Sequence, residues 1–135
     1  IGVKKQVESC KTIGLKRVIL VSSLCAGKLF HPLNLFGLIL LWKRIGERSL
    51  QNSLLDWTII RPGGLNEDEE GIKTQSIYYS KANTQEEGTI PRRLVAKVCL
   101  DALKTKTSIG KIIEITSSDK YPKLSMNKAL ETFSI

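Results

Sequence analysis

The sequence contains little histidine and little cysteine. Its 135 residues include one histidine, His31, and three widely spaced cysteines, Cys10, Cys25 and Cys99. A single imidazole without neighbouring thiolates or carboxylates cannot build a zinc site, and an odd number of distant cysteines forms neither a disulfide framework nor a paired redox motif. We therefore predict no metal site and reduced, buried thiols.

Long apolar runs and clustered basic motifs are also missing. The most apolar stretch, LNLFGLILLW, is much shorter than the roughly 18 residues a membrane-spanning helix needs, and Lys43 and Arg44 follow it at once. The net charge of +8 favours anionic partners in general, but the basic residues are dispersed as isolated pairs. No arginine-rich arm or zinc-finger spacing is present. We expect neither a transmembrane segment nor a nucleic-acid partner.

The residues that are present alternate between helical and strand patterns. Apolar residues at helical spacing predict a helix from Val3 to Ile13, and Gly14 is a plausible end for it. The unbroken aliphatic run from Arg17 to Ser22 is typical of a strand buried on both faces of a parallel sheet. A second helix, with Asn34 as its N-cap, is predicted to extend to about Gln51.

The second half repeats this order. DWTIIR, residues Asp56 to Arg61, predicts a second buried strand that ends in a turn at Pro62, Gly63 and Gly64. NEDEEG is predicted to be an acidic surface loop, SIYYS a short edge strand, and KANTQEEGTI a polar turn region. Residues Arg92 to Leu103 predict a helix, KIIEIT a last strand, and SMNKALETF a short terminal helix. The order predicts one α/β domain with an open, parallel, Rossmann-like sheet and crossover helices.

Ligands of open α/β sheets bind outside the carboxyl ends of the strands. That rule selects Ser22 and Ser23 after the first strand and the turn of residues 62–65 after the second. Lys43 lies on the helix between them, on one face with Ile39 and Glu47. Because its neighbours are so apolar, we expect the helix to be buried over a wide arc, and Lys43 then needs a partner, either a ligand or Glu47.

Two further residue types have more ordinary interpretations. Trp42 and Trp57 are expected in the core. Arg61 is interpreted as a surface residue, in preference to a phosphate ligand.

Several segments together resemble a known family. GLKRVILVSSLCAG, NLFGLILLWKRIGERSLQNSLLDWTIIRPGGL, IPRRLVAKVCLDAL and GKIIEI resemble the atypical short-chain dehydrogenase/reductases, which are Rossmann-fold proteins that bind NAD(P). NLFGLILLWKR and DWTIIRPGGL are most similar to a cyanobacterial and plastid group that includes a translocon-associated, dehydrogenase-like member. The resemblance implies a nicotinamide dinucleotide cofactor, NADP or NAD with NADP favoured.

The resemblance also implies roles for particular residues. Family members use a serine, a tyrosine as general acid/base, and a lysine one helical turn later that binds the nicotinamide ribose. Lys43 matches the lysine, and Ser22 or Ser23 matches the serine, with a capping serine as an equal alternative. Ile39 occupies the tyrosine position and cannot transfer a proton. Residues 62–65 match the turn beside the nicotinamide ring, with a simple tight turn as the alternative.

One motif of the family does not occur in the sequence, namely the glycine-rich turn that holds the pyrophosphate. We therefore expect residues 1–135 to be the C-terminal part of a single NAD(P)-binding domain. Alone, such a fragment should bind NAD(P) poorly, expose apolar surface, and be unstable or associate.

Two functions follow from the resemblance. One is an NAD(P)-binding, oxidoreductase-like protein that acts on an unknown small molecule. The other is a non-catalytic, NAD(P)H-sensing module that assembles with a membrane protein complex, which Ile39 favours. The expected location is cytoplasmic if the protein is bacterial and the plastid if it is eukaryotic.

Overall fold

A computed structural model describes residues 2–24 and 37–135. The predicted residues Cys25, His31 and Asn34 lie outside these ranges. The helices are α1 (Gly2–Thr12), α2 (Gly37–Gln51), α3 (Glu69–Thr74), α4 (Arg92–Lys104) and α5 (Met126–Thr132), with a short 3-10 helix at Lys106–Ser108. The strands are β1 (Arg17–Val21), β2 (Asp56–Pro62), β3 (Gly64–Asn66), β4 (Ser76–Lys81), β5 (Thr89–Pro91) and β6 (Lys111–Ser118).

The main sheet has the strand order β1-β2-β6-β4. The first three strands are parallel, and β4 pairs with β6 in the antiparallel direction. Each parallel neighbour is reached through a crossover that contains a helix, as parallel pairing requires. This is the α/β, Rossmann-like architecture that the sequence predicts, with one antiparallel strand at its β4 edge.

Hydrophobic residues cover both faces of the sheet, because successive residues of a strand point to opposite sides. On one face Ile59 packs with Val7 of α1 and Leu50 of α2. On the other face Ile60 belongs to a larger cluster that includes Val98 of α4 and Ala129 of α5. The aliphatic run of β2 is therefore buried from both sides, and this explains the lack of polar alternation in its sequence.

The amino end of the sheet is closed by the half-buried guanidinium of Arg17. Its nitrogens donate hydrogen bonds to Asp56 O at 3.0 Å and, at 2.8 Å each, to Thr58 Oγ1, Ala102 O and Ser108 Oγ. Burial lowers the pKa of Arg17, an effect that Asp56 partly opposes. One side chain thus joins β1, β2 and the end of α4.

Three sequence predictions need correction. The acidic stretch NEDEEG is not only a loop, because Asp68 Oδ1 accepts a hydrogen bond from Gly71 N at 2.9 Å and caps α3. Short strands β3 and β5 form a separate parallel pair where only turns were predicted. Trp42 is not a core residue, since 55% of it is exposed.

Two more predictions about burial are wrong. Arg61 is a core residue with 4% exposure, although a surface position was predicted. Helix α2 is not buried over a wide arc, because Leu38, Leu41 and Ile45 are also exposed. Within the described ranges, no helix has the length and apolar character needed to cross a membrane, and no group of metal-ligating side chains occurs.

Candidate functional site

The carboxyl ends of β1 and β2 lie side by side. Val21 pairs with Ile60, and Ser22 N donates a hydrogen bond of 2.8 Å to Ile60 O. The Oγ atoms of Ser22 and Ser23 are buried and have no hydrogen-bond partner in the described part of the chain. Since a buried hydroxyl without a partner costs about 1–3 kcal/mol, two adjacent ones mark a place where a polar ligand would be favoured.

Lys43 lies beside an open, largely apolar cavity of about 490 Å³. Helices α1 and α2 form its walls, and they approach closely where Gly46 packs against Val3. A Cβ atom on residue 46 would lie only 2.9 Å from Val3 Cγ2. The lining consists of residues from the first turn of α1 and from α2: Gly2, Val3, Ile39, Trp42, Lys43 and Gly46. As the sequence predicts, Ile39 and Lys43 share one face, and Ile39 offers no proton donor there.

The predicted alternative partner of Lys43, the carboxylate of Glu47, is already engaged. Arg61 Nε and NH2 donate hydrogen bonds of 2.9 and 2.7 Å to the two oxygens of Glu47. Both residues are buried, with 4% and 2% exposure. Within the described residues, Lys43 forms no hydrogen bond or ion pair, so its ammonium remains available to a ligand.

Arg61 also contacts a second buried carboxylate, that of Glu114. Arg61 NH1 lies 3.4 Å from Glu114 Oε2 and donates to Asn83 Oδ1 at 2.9 Å. Although burial alone would lower it, the two carboxylates raise the pKa of Arg61. Glu114 Oε1 accepts hydrogen bonds of 3.0 Å from the amides of Thr84 and Gln85. The network therefore ties α2 and the loop after β4 to the carboxyl half of β2.

The turn after β2 is held by its own backbone. Gly63 N donates to Ile115 O and Gly64 N to Gly88 O, each at 2.9 Å. A Cβ atom on Gly63 would lie 2.4 Å from Gly88 O, so glycine is required there by close packing of two backbones. Both glycine amides are thus occupied, and any contact of this turn with a nicotinamide ring has to come from close approach and from Leu65, which is 46% exposed.

The structure therefore brings the predicted serines and the predicted turn to adjoining strand ends, with Lys43 on the helix that leads into β2. The sequence interpretation missed the pairing of Arg61 with Glu47 and Glu114. A signal for it exists in TIIRP and KIIEI, since a charged residue inside an aliphatic strand run requires a buried partner.

Comparison with known proteins shows the family of this chain. A family of proteins described as NAD(P)H-binding matches residues 1–106. This chain belongs to the NAD(P)H-binding family. The resemblance to NAD(P)-binding Rossmann-fold proteins and the α/β fold predicted from the sequence are confirmed.

Three similar proteins come from plants. An uncharacterized chloroplastic protein of Arabidopsis thaliana is 35% identical over 133 residues, which cover 92% of this chain and 46% of that protein. Sanguinarine reductase of Eschscholzia californica is 34% identical over 122 residues, which cover 87% of this chain and 44% of that protein. The chloroplastic protein TIC 62 of Arabidopsis thaliana is 31% identical over 137 residues, which cover 97% of this chain and 21% of that protein. The chain thus spans less than half the length of these relatives.

A solved structure with the same fold is that of a putative NAD-dependent epimerase/dehydratase from Bacillus halodurans. It has a TM-score of 0.81 and 29% sequence identity, and the match covers 96% of this chain and 58% of that one. The fold described above is therefore the Rossmann-like fold of that class of protein.

Proposed function

We propose that this chain is the C-terminal part of an NAD(P)-binding, oxidoreductase-like domain in which Lys43 binds the ribose of the cofactor. The observation that carries the proposal is that Lys43 borders a cavity with no partner among the described residues, while Glu47 is held by Arg61. An ammonium with several donors suits a ribose diol. The NADP or NAD cofactor would supply the hydride.

The other candidate residues have supporting roles in this proposal. The buried hydroxyls of Ser22 and Ser23 would satisfy their hydrogen bonds on the carboxamide or on a substrate carbonyl. The turn of Pro62, Gly63, Gly64 and Leu65 would pack against the nicotinamide ring. Since Ile39 cannot transfer a proton, a reduced substrate would take its proton from water or from a serine hydroxyl.

The similarity to sanguinarine reductase supports reduction of a small organic molecule as the reaction class. The two chloroplastic relatives support a plastid location if the protein is eukaryotic, and the cytoplasm is the corresponding proposal for a bacterial protein.

The test is a titration of NADPH followed by nicotinamide fluorescence, with this chain and with the natural-length protein. We expect tight binding by the natural-length protein and weaker binding by residues 1–135. Lys43→Ala should weaken NADPH binding by at least about tenfold, because a charge-assisted hydrogen bond is lost. Arg48→Ala, on the same helix but pointing to solvent, is the matched control. Equal affinities for both variants would refute the role of Lys43.

A second function is favoured by Ile39 and by the similarity to TIC 62. In this alternative the chain senses NAD(P)H without turnover and assembles with a membrane protein complex. Two assays on the natural-length protein distinguish between these functions. Reduction of carbonyl or quinone substrates that disappears in Lys43→Ala supports the enzyme, whereas association with membranes that changes with the NADPH/NADP ratio, without substrate reduction, supports the module.

A further inference from the structure

A second cavity, of about 250 Å³, lies between α3, β4, α4 and the segment before α5. Its polar lining residues are Lys73, Gln75, Ser76, Tyr79, Lys97, Asp101 and Lys123. The family features described above use none of these residues. The cavity therefore needs an explanation of its own.

Two hydroxyls in this lining belong to side chains that are almost completely buried. Tyr79 is 3% exposed and Ser76 is 6% exposed. Neither hydroxyl forms a hydrogen bond with any residue in the described ranges. Burial raises the pKa of Tyr79 to about 12, and the nearby carboxylate of Asp101 contributes to that rise, so the hydroxyl keeps its proton at neutral pH. Both groups are hydrogen-bond donors that a ligand in the cavity could satisfy.

The charges around these hydroxyls favour an anion. Three ammonium groups, those of Lys73, Lys97 and Lys123, line the cavity together with the single carboxylate of Asp101. The lysines form no ion pair within the described residues, so their charge is not neutralised by the protein. These three lysines and one aspartate give the lining a net charge of about +2, which attracts anions.

The cavity is separate from the site of Lys43. Tyr79 packs in the core cluster with Ile60, Leu94 and Val98 on the α4 face of the sheet. Helix α2 covers the opposite face, where Leu50 packs on Ile59. In addition, β4 is at the edge of the sheet farthest from β1. A ligand here would not compete with a ligand held by Lys43.

We propose that this cavity binds a small oxyanion group, a phosphate or a carboxylate, through the Tyr79 and Ser76 hydroxyls and the ammonium groups of Lys97 and Lys123. The volume suits one small anion or the anionic end of a metabolite. Lys73 adds charge at the rim.

The test is an NMR titration of the natural-length protein with inorganic phosphate, with acetate and with sodium chloride, all at constant ionic strength. We expect saturable amide shifts in β4 and α4 with phosphate or acetate and none with chloride. Lys97→Gln combined with Lys123→Gln should weaken binding by about tenfold or more, since two charge-assisted contacts are lost. Tyr79→Phe keeps the ring in the core and should weaken binding several-fold, about the effect of one hydrogen bond.

The matched control is Lys4→Gln combined with Lys5→Gln, which removes the same charge from exposed positions of α1. It should leave the affinity unchanged. The spectra themselves show whether each variant is folded. Saturation by phosphate only identifies a phosphate site, and saturation by acetate a carboxylate site. Non-saturating shifts, or affinities that the cavity variants do not alter, would overturn the proposal.

Discussion

Glu47 on α2 and Arg61 on β2 form an ion pair through two parallel hydrogen bonds, and both side chains are almost completely buried. Glu47 lies one helical turn after Lys43, and Arg61 immediately precedes the turn at Pro62. It thereby fixes the helix that carries Lys43 relative to the strand end that carries the turn. A bidentate guanidinium–carboxylate contact restricts orientation as well as distance.

Removal of this guanidinium should strongly destabilise the fold. Arg61→Met leaves the buried carboxylates of Glu47 and Glu114 without their cation, and we expect a loss of about 3–5 kcal/mol in the free energy of unfolding. Arg92→Met is the control, because Arg92 pairs with Glu67 at the exposed surface and such pairs contribute less than about 1 kcal/mol. Urea unfolding measures both. Similar midpoints for the two variants would contradict the buried pair.

The turn after β2 should tolerate alanine at one glycine and not at the next. In Gly63→Ala the new methyl group would lie 2.4 Å from Gly88 O and 2.9 Å from Thr116 Cγ2. In Gly64→Ala the nearest atom, Thr89 Cγ2, is 3.3 Å away. We expect a loss of about 1–3 kcal/mol for the first and less than half of that for the second. Thermal unfolding compares them, and an equal effect would show that the close backbone approach is not what requires glycine.

Stability should fall at high pH because of Tyr79. Burial first, and Asp101 second, raise the pKa of its hydroxyl from 10.0 to about 12 in the folded protein. A raised folded-state pKa adds stability that is present below pH 10 and is lost as the pH rises from 10 towards 12, by roughly 2 kcal/mol. Tyr79→Phe should remove this part of the pH dependence. Urea unfolding between pH 8 and pH 11.5 compares the wild type with Tyr79→Phe. If the free energies of unfolding of both proteins change in parallel with pH, the role of Tyr79 is refuted.

The exposed face of α2 should cause association. Leu38, Trp42 and Ile45 lie along one side of the helix and are 67%, 55% and 40% exposed. Contiguous apolar surface of this kind favours contacts between molecules. We expect the apparent size in gel filtration to increase with concentration, and the double change Leu38→Lys and Trp42→Lys to abolish the increase. Leu54→Lys is the control, because Leu54 is 96% exposed but isolated from this side of α2.

The sequence was informative where local composition determines structure. The aliphatic runs of β2 and β6 are buried on both faces, and β-branched residues in such runs predict strands directly. The prediction that β1 is buried on both faces is wrong, because its residues are only partly buried and Val21 is 48% exposed. Helix α2 and the position of Lys43 followed from helical spacing and from the family resemblance. These elements place the candidate site at the carboxyl ends of β1 and β2.

Long-range relationships were not predictable in the same way. Arg61 is buried because it meets Glu47 and Glu114, which are 14 and 53 residues away. The local strand pattern indicates that a buried charge needs a partner, but it does not indicate which residue supplies it. The pairing of β3 with β5 also joins distant segments, and each strand is too short for a periodic signal. Trp42 was assigned to the core because its neighbours are apolar, although the helix has apolar residues on its exposed side as well.

The hydrogen bonds of Arg17 make the two ends of the sheet different in energetic terms. At the amino end the Arg17 guanidinium donates hydrogen bonds to two hydroxyls and a carbonyl oxygen, so these polar groups have partners within the protein and need no ligand. At the carboxyl end the buried hydroxyls of Ser22 and Ser23 have no hydrogen-bond partner among residues 2–24 and 37–135, and a buried hydroxyl without a partner is unfavourable. The carboxyl end of the sheet is thus preorganised for a ligand. A molecule that forms hydrogen bonds with these hydroxyls would offset the free-energy cost of their burial.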